Sequence, residues 1–169
     1  MTSFVTEALR SEHDRGAFHS GVAALDRYLR ELALQDVRRR VAGCFVALAD
    51  NGEIAGFYAL AATSAPLDAL PADIAKRLPR YPIVPAMLMG RLAVASRFQD
   101  RGLGRALVAD AVMRTNGLGV GAFALIVDAK DEGAAAFYRA NGFAPIPGDS
   151  RRLFLPIATA LQAQSSKRT

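Results

Sequence analysis

The run Gln99-Asp100-Arg101-Gly102-Leu103-Gly104-Arg105 decides how this chain is read. It follows Met87–Val94 (MLMGRLAV), which is apolar on both faces, as expected of a strand at the centre of a sheet. It opens Leu103 to Thr115, a segment of helical periodicity with Leu103, Ala106, Leu107, Ala111 and Met113 largely on one side. Two glycines at this spacing let the backbone approach a ligand closely. The free N–H groups of the first helical turn, with the helix dipole behind them, make an anion site. Arg101 and Arg105 bring side-chain charge to the same place. Spacing excludes two commoner phosphate loops. Leu107 stands where a dinucleotide fingerprint needs its third glycine, and Gly-Lys-Ser/Thr occurs nowhere in the chain. An ordinary strand-to-helix turn, with glycine serving geometry alone, is the alternative.

Upstream, Phe4 to Leu9 reads as an edge strand and Val22 to Arg40 as an amphipathic helix, with Val22, Leu25, Leu29, Leu32 and Ala33 at helical spacing. Its basic end, Arg38-Arg39-Arg40, offsets the negative helix terminus, and Gly43 follows. Cys44 to Ala49 and Ile54 to Ala62 read as strands joined by the tight turn Asp50-Asn51-Gly52. Pro66, Pro71, Pro79, Pro82 and Pro85 then mark a surface excursion of turns and extended chain, with a short helix at Asp73 to Leu78. Such excursions often carry substrate selectivity. Downstream, Gly117, Gly119 and Gly121 end the helix. Phe123 to Val127 is a buried strand, and Asp131 to Asn141 a helix closed by Gly142. Phe143 to Pro147 and Arg151 to Leu155 form a final hairpin. One domain over residues 1–161 is expected, with 162–169 a polar, flexible tail.

A length of 169 residues suits a single α/β domain, and 51% hydrophobic against 22% charged residues excludes global disorder. No run approaches the roughly 20 apolar residues of a membrane span. The N-terminus carries no apolar signal region, so a cytoplasmic protein is expected, with no membrane association. Cys44 is the only cysteine, and His13 and His19 are the only histidines. A disulfide framework, a thiolate zinc cluster and a multi-His metal site are therefore not expected. The net charge is +5, and arginine supplies 18 of the 21 cationic residues. Guanidinium groups suit phosphate, yet Ala- and Arg-rich composition also follows from GC-rich codons.

A second constellation lies downstream: Ala136-Phe137-Tyr138-Arg139-Ala140-Asn141-Gly142-Phe143, preceded by the FALIVDA strand. The order LAV strand, Q-x-x-G-x-G turn and helix, second strand, then A-x-x-F-Y-x-x-x-G-F resembles the GNAT superfamily of acetyl-CoA-dependent N-acetyltransferases, over roughly Phe45 to Leu155. The chain looks more closely like the GNAT toxins of bacterial type II toxin–antitoxin modules. The residues carrying this are Phe18 to Asp36 (FHSGVAALDRYLRELALQD), the GFYALAA strand from Gly56, and Pro85 to Val94. The resemblance implies a mixed, mostly antiparallel sheet flanked by helices and splayed near Val94, where acetyl-CoA enters. It also implies acetylation of the α-amino group of aminoacyl-tRNA, which blocks translation, a neutralising ribbon-helix-helix antitoxin, and a homodimer.

Carried across residue by residue, the resemblance assigns the CoA pyrophosphate to the N–H groups of Arg101 to Arg105. The pantetheine arm and thioester oxygen go to the strand backbone at Leu92, Ala93 and Val94. Gln99, Asp100, Asp128 and Phe137 join these cofactor contacts, and Tyr138 becomes the general acid. A phenol of pKa about 10 stays protonated at neutral pH and can donate to the departing thiolate. MLMGRLAV carries no Asp or Glu. A lysine amine, pKa about 10.4, needs a base, whereas an α-amine at about 7.7–8.0 does not. An α-amine substrate is therefore expected, unless Glu53, Asp128 or Asp131 approaches from elsewhere. Arg38, Arg39, Arg40, Arg77, Arg80, Arg91 and Arg97 are the candidates for tRNA phosphate. The alternatives left open are a GNAT enzyme acting on a small amine or a protein N-terminus, and a non-catalytic acyl-CoA-binding module.

Overall fold

The computed structural model describes residues 3–167. Seven strands form one mixed sheet in the order β1-β2-β3-β4-β5-β7-β6, with helices alongside. Contacts group the chain into two compact units. One runs to Ala61 and includes Met89–Ala111; the other holds Ala62–Leu88 and the chain from Val112.

In the first unit β1 (Val5–Ala8) pairs antiparallel with β2 (Gly43–Leu48), and β2 with the first part of β3 (Ile54–Pro66). Ala49 N–H donates to the Glu53 carbonyl at 2.9 Å, and Gly52 takes the left-handed φ of 83° that the expected tight turn requires. The long helix is interrupted. α1 (Ala23–Arg27) passes into a π-helical turn at Tyr28–Leu32, where Tyr28 and Leu29 are buried, before α2 (Ala33–Arg38). Arg40, not a glycine, supplies the left-handed stop at φ 61°. Its N–H donates to Val37 and that of Val41 to Asp36, the paired bonds of a Schellman cap. Gly43, expected just beyond the helix, instead begins β2.

In the second unit, the first part of β4 (Ile83–Val94) pairs in parallel with β5 (Ala124–Asp128), in a register covering Ala86–Leu88 and Ala124–Ile126. β7 (Asp149–Pro156) pairs antiparallel with both β5 and β6 (Ala144–Ile146). Leu70, Val84, Ala86, Ile126, Ile146 and Phe154 form the core here. β4 begins four residues before the expected Met87, despite Pro85 within it and Pro82 just before it. A proline lacks only the donor, and the Pro85 carbonyl still accepts from Phe123 N–H at 2.8 Å. The Pro82 carbonyl accepts from Leu67 N–H at 3.0 Å and closes the excursion. Inside the excursion lie a 3-10 turn at Leu67–Ala69 and α3 (Ala72–Ala75), earlier and shorter than the expected Asp73 to Leu78.

α4 (Leu103–Asn116) follows the glycine loop. Its buried side is Leu103, Leu107, Val108, Ala111, Val112 and Thr115, whereas Ala106 and Met113, expected on that side, are exposed. α5 (Glu132–Ala140) is capped by Asp131, whose carboxylate accepts from Ala134 N–H at 2.8 Å. It ends at Gly142, φ 93°, as expected. β7 leads into α6 (Ile157–Ser166), so the domain edge expected at residue 161 falls inside a helix and Gln162–Ser166 are helical. The last two residues of the expected tail lie outside the described residues. Among the described residues no helix is long and apolar enough to cross a membrane.

Candidate active site

In the first unit β4 ends at Val94, a 3-10 turn covers Ser96–Phe98, and Asp100 and Gly102 both take left-handed φ, 62° and 79°. Ala106 N–H donates to the Gly102 carbonyl at 3.1 Å, which leaves the N–H groups of Leu103, Gly104 and Arg105 in a first turn without helical acceptors. That is the concave donor set an anion requires. Ala93 and Leu103 bury their side chains, so each can meet a ligand only through its backbone. Arg101 and Arg105 are exposed, with the Arg101 guanidinium 5.7 Å from the Phe98 ring centroid. Gln99 faces its own backbone: its amide donates to the carbonyls of Val94 and Ser20, each at 3.0 Å. It orders the loop, with those two donors already used.

Gly56 on β3 backs this strand end. A Cβ there would lie 3.0 Å from the Ala93 carbonyl oxygen, 3.0 Å from Leu107 Cδ1 and 3.3 Å from Leu103 Cδ2. The sequence signal was present, since a glycine inside a strand marks close backbone approach, but it does not say which backbone. Asp110 gives no such signal. It accepts from Thr6 and Tyr58, tying α4 to β1 and β3. His13 is buried; its Nδ1 accepts from Arg10 N–H at 2.9 Å, so Nε2 carries the proton shared with Glu7 at 2.6 Å.

In the second unit Tyr138 lies on α5 with 7% of its surface exposed, its ring edge-on to Phe137 and Phe143 at 5.3 Å each. Its hydroxyl has no hydrogen-bond partner among the described residues. Burial pushes the phenol from its ordinary 10.0 up to about 12, so it is a neutral donor at any physiological pH.

The carboxylates considered as bases are each engaged. Glu53 takes Arg97 at 2.6 Å, Asp128 takes Arg152 at 3.0 Å, and Asp131 holds the α5 cap with Lys130 at 3.1 Å. Asp128, expected among the cofactor contacts, is thus ion-paired across the β5–β7 register.

The arginines divide in the same way. Arg91 stacks on Tyr28, its guanidinium carbon 3.9 Å from the ring centroid, and the Tyr28 hydroxyl donates to Asp36 at 3.0 Å. Arg97 is held by Glu53, and Arg39 donates to the Gln35 side-chain amide oxygen at 2.7 Å. Arg38, Arg40, Arg77 and Arg80 have no carboxylate at ion-pair distance among the described residues.

Comparison with known proteins matches residues 6–143 of the chain to the Acetyltransferase (GNAT) family. A tRNA-acetylating toxin of Mycobacterium tuberculosis is 38% identical over 144 residues, 84% of this chain and 85% of that protein. AtaT complexed with acetyl-methionyl-tRNAfMet superposes with a TM-score of 0.85 at 27% identity, covering 99% of this chain and 100% of that one. AtaTR bound with acetyl-CoA gives 0.81 at 27%, over 95% and 98%. A mutant AtaT bound to the C-terminus of the antitoxin AtaR gives 0.79 at 25%, over 95% and 97%. The chain belongs to the GNAT acetyltransferase family, and is an N-acetyltransferase with acetyl-CoA as its cosubstrate.

Proposed function

We propose that this enzyme transfers acetyl from acetyl-CoA to the α-amino group of an aminoacyl-tRNA, as a cytoplasmic toxin that blocks translation. The observation that carries this reading is a buried proton donor, while each carboxylate weighed as its base already has a partner. Tyr138 keeps its proton to about pH 12, while Glu53, Asp128 and Asp131 are each held by a partner. Such a site suits an amine that is already partly neutral at pH 7, and an α-amine titrates at about 7.7–8.0.

The neutral amine attacks the thioester carbonyl carbon. The N–H groups of the Gly102 loop hold the pyrophosphate, and the β4 backbone at Leu92, Ala93 and Val94 pairs with the pantetheine arm and receives the charge on the thioester oxygen. As the C–S bond breaks, Tyr138 gives its proton to the CoA thiolate. The new ammonium loses a proton to water, and the tyrosinate is reprotonated from solvent. Gln99 keeps the loop in register with β4, and Asp100 supports it through its left-handed backbone. Phe137 and Asp128 are supports for Tyr138 and the end of β5.

AtaT offers the precedent for tRNA and antitoxin. A ribbon-helix-helix antitoxin and a homodimer complete the proposal, and rest on the resemblance of the sequence to the toxin group. Incubation with acetyl-CoA and a mixture of charged tRNAs tests the central step. Acetyl-aminoacyl-tRNA is the expected product; turnover on a small amine with none on charged tRNA moves the enzyme to the small-amine class.

A further inference from the structure

We propose that the groove of the proline excursion is a subsite for the unpaired end of an RNA strand, with Tyr81 stacking on a base and Lys76 and Arg80 meeting its phosphates. This rests on the reading of charged tRNA as substrate. The groove, about 620 Å³, lies wholly in the second unit, with Leu67, Leu70 and Pro82 on its apolar wall beside Lys76, Arg80 and Tyr81, two cations against the single carboxylate of Asp68. Its floor is rigid. Leu70 is buried in the core with Val84 and Ala86, and the Leu67 N–H bond to the Pro82 carbonyl closes its neck.

Two features fit this surface to RNA. Tyr81 is 70% exposed, with no aromatic partner among the described residues, which leaves a ring face open for stacking. Lys76, Arg77 and Arg80 are exposed and unpaired with carboxylates among the described residues, while Arg91, Arg97 and Arg152 are engaged. A duplex hides its base faces in the helical stack and would leave the apolar wall empty. An unpaired strand presents flat bases and phosphates together, and base–aromatic stacking is tolerant of sequence.

The test is fluorescence anisotropy with two labelled RNA hairpins, one blunt and one carrying four unpaired 3′ nucleotides. The wild type should prefer the overhang. Tyr81→Ala should weaken the overhang hairpin about tenfold and leave the blunt one unchanged, with Tyr81→Phe restoring binding. Lys76→Ala with Arg80→Ala should lower the salt slope of overhang binding by about 2. Overhang binding unchanged in Tyr81→Ala overturns the proposal; so does loss of binding to an AtaR-like antitoxin in that variant with RNA untouched, which assigns the groove to a protein. Acetyl transfer separates this from the broader reading. If wild type acetylates no charged tRNA, the substrate assignment falls. If Tyr81→Ala acetylates charged tRNA with unchanged KM, only the groove proposal falls.

Discussion

Gln99 and Val94 are joined by a side-chain amide that donates to a main-chain carbonyl at 3.0 Å, and the same amide reaches Ser20 at 3.0 Å. The glycine loop is thereby tied to the end of β4, the two backbone segments assigned to acetyl-CoA. Gln99→Glu replaces a double donor with an acceptor-only group facing two carbonyl oxygens. It should weaken acetyl-CoA binding about tenfold or more by calorimetry. Gln99→Ala, which removes the donors without adding repulsion, should cost about 1–2 kcal/mol of stability and have a milder effect on binding. Equal acetyl-CoA affinity in wild type and Gln99→Glu would remove the positioning role.

Tyr138→Phe separates chemistry from packing. The hydroxyl has no hydrogen-bond partner among the described residues while the ring packs on Phe137 and Phe143, so the variant should melt within a few degrees of wild type. Loss of a general acid should lower kcat by about 10²–10⁴-fold with little change in KM. The pH profile follows from the raised phenol. A tyrosine held at about 12 is protonated, and competent, below that value and fails only as pH rises through it. Rate should therefore climb with deprotonation of the amine and show no fall by pH 10. A decline centred between pH 7 and 9 would point to a different acid.

The legible parts of the sequence were those with a local cause. The loop at Gly102 announced itself because left-handed backbone near a helix start selects glycine, and α5 because Asp131 and Gly142 bracket it. What stayed hidden depends on partners far along the chain. Nothing near Arg91 or Arg97 says that one stacks on Tyr28 and the other pairs with Glu53, so both read as free phosphate contacts. The prolines at 82 and 85 read as strand breakers because a lost donor is visible in sequence and a retained carbonyl acceptor is not.

Gly56→Ala tests the close approach of β3 to the end of β4, the strand proposed to bind acetyl-CoA. The new methyl would press the Ala93 carbonyl oxygen, a backbone atom that cannot rotate away, and two side chains at the start of α4. Overpacking of this kind costs about 1–3 kcal/mol. KM for acetyl-CoA should rise in the variant even under conditions where it is fully folded, as judged by circular dichroism. Wild-type KM in a destabilised variant would confine Gly56 to a packing role.

Arg40 occupies a left-handed cap position at φ 61° where glycine is unstrained. Arg40→Gly should therefore stabilise the protein by about 1 kcal/mol, read as a higher urea midpoint. The same change removes one of the cations, unpaired with carboxylates among the described residues, that are proposed to meet tRNA phosphate. RNA binding should weaken, and its salt slope should fall by about 1. Greater stability with an unaltered salt slope would show that Arg40 touches no phosphate.

Cys44 is buried on β2, and burial pushes its thiol from 9.0 up to about 12. In native protein at pH 8 it should resist a thiol reagent such as DTNB and react as one equivalent only after unfolding in guanidinium. The sign of the stability effect follows from the direction of the shift. The folded thiol resists ionisation while the unfolded one ionises freely, so stability is level below about pH 9 and is lost as pH rises toward 12. Tyr138 adds to the loss from about pH 10, since burial raises its phenol as well. The melting temperature should therefore fall steeply between pH 9 and 11. Cys44→Ala should move the onset of that fall toward pH 10, and an unchanged onset would mean that the thiol is not the first group to ionise.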